Sequence, residues 1–172
     1  MARVPYVDLD PSDPANATLL AFFQGRPMPA IYRALANAPG LLRAWTAFAW
    51  PLRSEPAVPR RLRELMIIRV AQLTGARAEW VGHVAMGLDH GVAQAQVDSL
   101  QEWAASDAFD DDERALLAFT DQLTIDGTVD DATFAPLAAR WSNQELVEIT
   151  LTAAFYACVS RVLNALAVEP PG

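Results

Sequence analysis

Residues 60–92 read RRLRELMIIRVAQLTGARAEWVGHVAMGLDHGV, and this stretch decides the fold class. Its first half spreads Leu62, Leu65, Met66, Ile67, Ile68, Val70, Ala71 and Leu73 around most of a helical circumference. That is the pattern of a helix buried on nearly all sides. Gly75 then supplies the residue a helix end favours, so a helix is predicted from about Pro59 or Arg60 to Thr74. The second half predicts a helix from about Ala78 to His90, closed by Gly91.

On this second helix, Glu79, His83, Met86 and His90 fall within about 60° of one another at helical spacing. Val81, Val84, Ala85 and Leu88 take the other side. An acid and two imidazoles therefore share one stripe, flanked by Gly82 and Gly87. Each glycine costs a helix about 1 kcal/mol relative to alanine, so the stripe needs space, for a ligand or for a closely packed helix.

Working outward, Asp110 and Glu113 have capping-box spacing and open a helix to about Ile125. Asp130 caps a short helix to about Arg140. Ser142 and Glu145 form the capping box of a last long helix to about Val168. A further helix is predicted over about 93–105. On the N-terminal side, nine of the twelve prolines lie in the first 59 residues. Proline breaks helices into short pieces. Residues 1–15 read as an extended arm whose apolar residues (Val4, Tyr6, Val7, Leu9) favour a strap over a free tail. Short helices are predicted at about 15–24, 29–37 and 40–50, with Pro51, Pro56 and Pro59 punctuating a connector. No stretch alternates with a period of two long enough to be a strand, so the fold class is all-α. The chain divides into a Pro-rich arm with short helices (1–58) and a helical core (59–172) within one domain. A faint internal echo, RELMIIRVA from Arg63 and QELVEITLT from Gln144, sets His83 opposite Asn164.

Composition narrows the chemistry. The 172 residues include 13 arginines, no lysine, two histidines and one cysteine, with a formal charge of −8. Without lysine there is no Schiff base or P-loop lysine. A single cysteine, Cys158, allows no internal disulfide and no C-x-x-C pair. The acidic balance argues against nucleic acid or an anionic membrane surface as partner. No uncharged apolar run reaches the roughly 18–20 residues of a spanning helix. The opening MARVPYVDLDPSDP holds three aspartates and no apolar signal core, so a cytoplasmic location is expected. The apolar fraction of 52% is slightly above that of an ordinary soluble domain, and the excess is read as buried subunit interface rather than membrane.

Glu64 joins the acid–histidine stripe as a candidate. It lies on the buried helix beside Ile67, Ile68, Ala71 and Gly75, where desolvation raises a carboxyl toward the range useful for proton transfer. The competing reading pairs it with Arg60, Arg61 or Arg69. His90, next to Gly91, is explained equally by the negative end of its helix. A metal at Glu79, His83 and His90, with Glu64 as a further donor, fits less well. Spacing of i, i+4 suits two ligands, but the third lies about 10 Å further along. No metal and no cofactor is therefore assigned.

The stretch from Arg63 to Val92, followed by DDDERALLAFTDQL and FYACVSRVLNALAVE, resembles the carboxymuconolactone decarboxylase and alkylhydroperoxidase D-like (AhpD-like) family. The resemblance implies an AhpD-like bundle of helical hairpins assembling as homotrimers or larger rings. The family's redox branch carries a C-x-x-C pair before the histidine and a glutamate upstream. Carried over, the glutamate falls on Glu64, the histidine on His83, and the two cysteines on Ala76 and Glu79. Both sulfurs are absent, which removes support for dithiol peroxidase chemistry.

The Glu79-Trp80-x-x-His83 form is similar to cysteine-free members nearer the decarboxylase branch. Acid–base chemistry on a small cyclic acid or lactone is then implied, with Glu64, Glu79 and His83 as the working groups. Trp80 and Met86 are expected to wall the pocket, and Arg77 or Arg69 to hold a substrate carboxylate. Tyr156 and Asn164 are secondary candidates, better read as core or interface groups. The expected partners are a small anionic molecule and further copies of the chain. The alternatives are a non-catalytic ligand-binding or scaffold oligomer and a thiol-independent peroxide-stress protein.

Overall fold

A computed structural model describes residues 1–23, 25–54 and 56–170. Among them, helices are the only regular elements: α1 Ala17–Phe23, α2 Ala30–Leu35, α3 Pro39–Ser54, α4 Arg60–Thr74, α5 Arg77–Asp89, α6 Gln94–Ser99, α7 Asp111–Asp126, α8 Asp131–Arg140 and α9 Asn143–Leu166. Single 3-10 turns precede α1 and follow α6.

The all-round apolar pattern of α4 has the consequence expected of it. Leu65, Met66, Ile67, Ile68 and Val70 are each at most 2% exposed, and three apolar clusters radiate from this one helix. Ile67 and Val70 meet Tyr156, Val159 and Leu163 of α9. Leu62 and Met66 meet Leu116 and Phe119 of α7, Leu137 of α8 and Ile149 of α9. Leu65 and Ile68 meet Val92, Val97, Leu100 and Leu117. Burying side chains of this size contributes about 1.5–3 kcal/mol each, so α4 is the axis of the fold. A fourth, smaller cluster of Leu19, Phe23, Tyr32, Ala36 and Leu42 holds the N-terminal helices, and Ile31 and Trp45 pack against both it and the α9 cluster.

The helix ends follow their local chemistry. Gly75 takes φ 64° as the α4 cap, and Gly127 closes α7 at φ 74°. The Asp110–Glu113 and Ser142–Glu145 capping boxes are both formed. The N-terminal arm is a strap on its own chain: the Arg3 amide donates to Leu166 O at 2.8 Å and the Val7 amide to Arg33 O at 3.0 Å.

Three expectations need correction. Pro51 does not end α3, which runs on to Ser54. The proline lies in the last turns with its ring exposed, so its missing N–H costs one hydrogen bond without breaking the helix. The helix expected over 93–105 is two pieces, an α-helix to Ser99 and a 3-10 segment Leu100–Ala105 that itself kinks at Glu102, at φ −111°, ψ 31°. The last helix stops at Leu166, capped by Ala167 in the left-handed region at φ 51°. Gln24, at the expected end of the first helix, lies outside the described residues.

Helix α9 is long and apolar enough, by length and composition, to cross a membrane, yet half of its apolar window is buried inside the protein. It serves here, with α5, as one of the two main partners of α4.

Candidate active site

The site begins with the short turn between α4 and α5. Gly75 and Ala76 reverse the chain, and α5 then packs closely on α4 because Gly87 has no side chain. A Cβ there would stand 2.8 Å from Ile68 Cδ1 and 3.3 Å from Val92 Cγ2. At Gly82 a Cβ would meet nothing within 4 Å. The two glycines thus divide the roles their spacing suggested: Gly87 admits a helix, and Gly82 leaves open space.

This approach sets His83 against Glu64. His83 Nδ1 lies 2.6 Å from Glu64 Oε2, and His83 Nε2 lies 3.0 Å from Glu79 Oε1. Glu64 is completely buried, and His83 and Glu79 are buried as well. Helix α5 therefore turns its polar stripe inward, while Val81 and Leu88 remain exposed. Arg60, one turn before Glu64, forms an ion pair with Glu64 Oε1, although that oxygen receives no well-directed hydrogen bond.

Both ring nitrogens of His83 face carboxylate oxygens, an arrangement that favours the doubly protonated imidazolium. Burial pushes its pKa down, but hydrogen bonds and charge from Glu64 and Glu79 outweigh burial and hold it above its ordinary value. Glu64 shows the converse. Burial pushes its carboxyl up, but His83 and Arg60 outweigh that and hold it below the usual range. The expected rise at Glu64 is thus reversed: desolvation is present, but two cations sit beside the carboxylate. The competing Arg60 pairing is the one formed.

A cavity of about 330 Å³ opens on this cluster, within the range of small-molecule sites. Glu79, Gly82, His83 and Met86 contribute one wall, Tyr156 and Phe155 of α9 another, and Trp45 and Arg53 of α3 a third. Glu64 does not line it; it stands behind His83. The Tyr156 ring meets His83 edge-on at 5.0 Å. Burial pushes the Tyr156 phenol well above its ordinary value, so it stays protonated.

Of the other expected site residues, Met86 and Tyr156 reach the cavity. Trp80 does not wall it; the indole packs instead on the Leu65–Ile68 cluster. Arg69 cannot hold a ligand there. It makes two bonds to Asp121, at 2.6 and 2.7 Å, and one to Leu100 O at 3.0 Å. Arg77 is exposed at the start of α5 and absent from the lining. His90 is exposed, with Nδ1 2.7 Å from Met86 O, as its place at the helix end suggested. Asn164 donates to Thr74 O at 2.8 Å, closing the end of α4. Ala76 is fully buried and Cys158 is exposed on α9, away from the cluster.

The residues missed by sequence reasoning are Arg53, Tyr32, Trp45 and Phe155. A signal existed for two of them. Trp45, Ala49 and Arg53 recur every four residues, one helical stripe, hidden by reading Pro51 as a stop. Among the described residues, no group of three or more His, Cys, Asp or Glu side chains is arranged to hold a metal ion.

Comparison with known proteins places these features in context. The carboxymuconolactone decarboxylase family matches residues 39–122, the segment carrying Arg53, Glu64, Glu79 and His83. No curated protein sequence is significantly similar to the chain. Solved structures are similar in fold. An uncharacterised peroxidase-related protein from Ralstonia eutropha JMP134, with an alkylhydroperoxidase AhpD core, has a TM-score of 0.83 at 19% identity over 99% of this chain and 92% of that one. A cysteine-to-alanine variant of the debrominase Bmp8 in complex with 2,3,4-tribromopyrrole has a TM-score of 0.82 at 20% identity over 100% and 95%. A peroxidase-related protein from Silicibacter sp. TM1040 has a TM-score of 0.79 at 19% identity over 100% and 96%.

Proposed function

We propose that the chain, which matches the carboxymuconolactone decarboxylase family over residues 39–122 and has an AhpD-like fold, is a non-redox acid–base enzyme acting on a small cyclic carboxylic acid or lactone. The single observation that carries this is the cavity-facing His83 held between two carboxylates.

His83 is the proton donor, Glu64 its fixed counter-charge, and Glu79 the carboxylate at the cavity wall. When a carboxylate beside an unsaturated lactone leaves as carbon dioxide, the electron pair of the broken C–C bond spreads into an extended enolate. The enolate takes a proton at carbon, from His83 Nε2 directly or through Glu79. His83 is then neutral, with its remaining proton on Nδ1 toward Glu64, and solvent restores the lost proton. The apolar wall of Phe155, Val159 and Leu163 limits water at the developing carbanion. The flat ring named with the debrominase has the shape this chemistry takes.

A ligand-binding protein without catalysis is the second reading, favoured because both nitrogens of His83 already have partners. Carbon dioxide release from unsaturated lactone acids, measured on the unmodified protein and on His83→Ala, separates the two. Release that depends on His83 supports the enzyme. Equal rates in both proteins exclude His83 as the donor.

A further inference from the structure

Arg53 differs from the other buried or half-buried arginines of the core. Arg60 pairs with Glu64, Arg61 with Glu113 and Arg69 with Asp121. Arg63 is spent on carbonyls, with Nη1 3.0 Å from Leu52 O and Nε 3.1 Å from Val58 O. Arg53 forms no ion pair among the described residues. Its one hydrogen bond recorded there runs from Nη1 to the Tyr32 hydroxyl at 3.1 Å, and its side chain lines the cavity.

The backbone around Arg53 is held in place. Arg63 grips the carbonyls of Leu52 and Val58, on either side of it, and Arg60 Nη1 reaches Arg53 O at 3.5 Å. Burial opposes the charged guanidinium and the nearby carboxylates of Glu64 and Glu79 favour it, so the group keeps its charge. Within the site Arg60 offsets Glu64, the His83 imidazolium offsets Glu79, and the remaining carboxylate of the lining, Glu169, pairs with the Met1 amine at 3.2 Å, which leaves Arg53 as one cation in excess.

The remaining wall is a train of rings. Trp45 meets Phe155 at 5.0 Å, Phe155 meets Tyr156 at 5.6 Å, and Tyr156 meets His83 at 5.0 Å. All four line the cavity. Such a wall favours a flat ring that can meet aromatic faces and edges. A guanidinium fork favours a carboxylate.

We propose that Arg53 is the anion-reading residue of this cavity, and that its ligand is a flat aromatic or unsaturated ring bearing a single carboxylate. A second carboxylate would enter an apolar wall beside Glu79 with no cation left to meet it. This rests on the cavity being the reaction site proposed above, and adds to it the class of molecule admitted.

The test is calorimetric binding of four probes to the full chain: benzoate, benzamide, cyclohexanecarboxylate and phthalate. Benzoate is expected to bind tightest, with each of the others about tenfold weaker or more. Arg53→Gln should weaken benzoate about 10–100-fold and leave benzamide unchanged. Arg53→Lys should lie between, since it keeps the charge and loses the fork. Unchanged benzamide binding also shows that the variant is folded. Absence of benzoate binding up to about 10 mM, equal binding of benzoate and benzamide, or full benzoate affinity in Arg53→Gln overturns the proposal. Tighter binding of phthalate overturns the single-carboxylate part. Because no turnover is needed, benzoate binding through Arg53 together with no His83-dependent release of carbon dioxide would count against the acid–base reading alone.

Discussion

His83 Nδ1 and Glu64 Oε2 stand 2.6 Å apart across the α4–α5 interface, with Glu64 wholly buried. A buried carboxylate and a buried imidazolium stabilise each other only while both are charged. The pH dependence of stability follows. His83 has a raised pKa, so its contribution is fully present below the ordinary 6.5 and is lost as pH rises through the raised value. Glu64 has a lowered pKa, so its contribution is present above the ordinary 4.5 and is lost as pH falls through the lowered value. Stability owed to this pair is therefore greatest between those two ordinary values. Denaturation midpoints across pH should show a plateau there that flattens in Glu64→Gln. An unchanged profile in that variant would show that the pair is not the source.

Removing the imidazole leaves a wholly buried carboxylate with Arg60 alone. His83→Ala should cost about 3 kcal/mol, a fall in Tm of roughly 5–12 °C for a chain of this size. Thermal unfolding of the variant measures this, and a loss under about 1 kcal/mol would mean the pair behaves as a surface ion pair.

The two glycines of α5 should respond with opposite sign. Gly82→Ala enters open space and removes a helix-interior glycine, so it should stabilise by about 0.5–1 kcal/mol. Gly87→Ala drives a Cβ to 2.8 Å from Cδ1 of Ile68, a wholly buried side chain. Overpacking there costs about 1–3 kcal/mol, more than the helical gain. Paired chemical denaturation curves check the signs.

Peroxide turnover, if the protein shows any, should be unaffected by Cys158→Ser. The thiol is single and exposed on α9, and the resemblance puts the family's two cysteine positions on Ala76 and Glu79. A loss of turnover in this variant would reinstate thiol chemistry.

The helices were legible because their ends are chemical events in the sequence. Gly75, the Asp110–Glu113 box and the Ser142–Glu145 box fixed boundaries to within a residue or two. The stripe Glu79–His83 was legible from spacing, and its burial against Glu64 agrees with the buried pattern of α4. What spacing could not supply was which distant group meets which. Arg69 is an adequate carboxylate-binding residue until Asp121, 52 positions away, is seen to occupy it. Glu64 illustrates the same limit, since desolvation is readable from apolar neighbours but the offsetting imidazolium arrives from another helix. Pro51 concealed the Trp45–Ala49–Arg53 stripe because a proline in a final, exposed turn costs little, and sequence alone does not say that the turn is final.

The central claim is that His83 is a doubly protonated donor at a cavity wall, and nitrogen NMR of histidine-labelled protein tests it most directly. With only His83 and His90 present, His90→Gln leaves one histidine to observe. The account predicts both ring nitrogens protonated near neutral pH, with a titration midpoint above the ordinary 6.5 that falls in Glu64→Gln. A neutral ring with one protonated nitrogen near neutral pH, or a midpoint below 6.5, would contradict it.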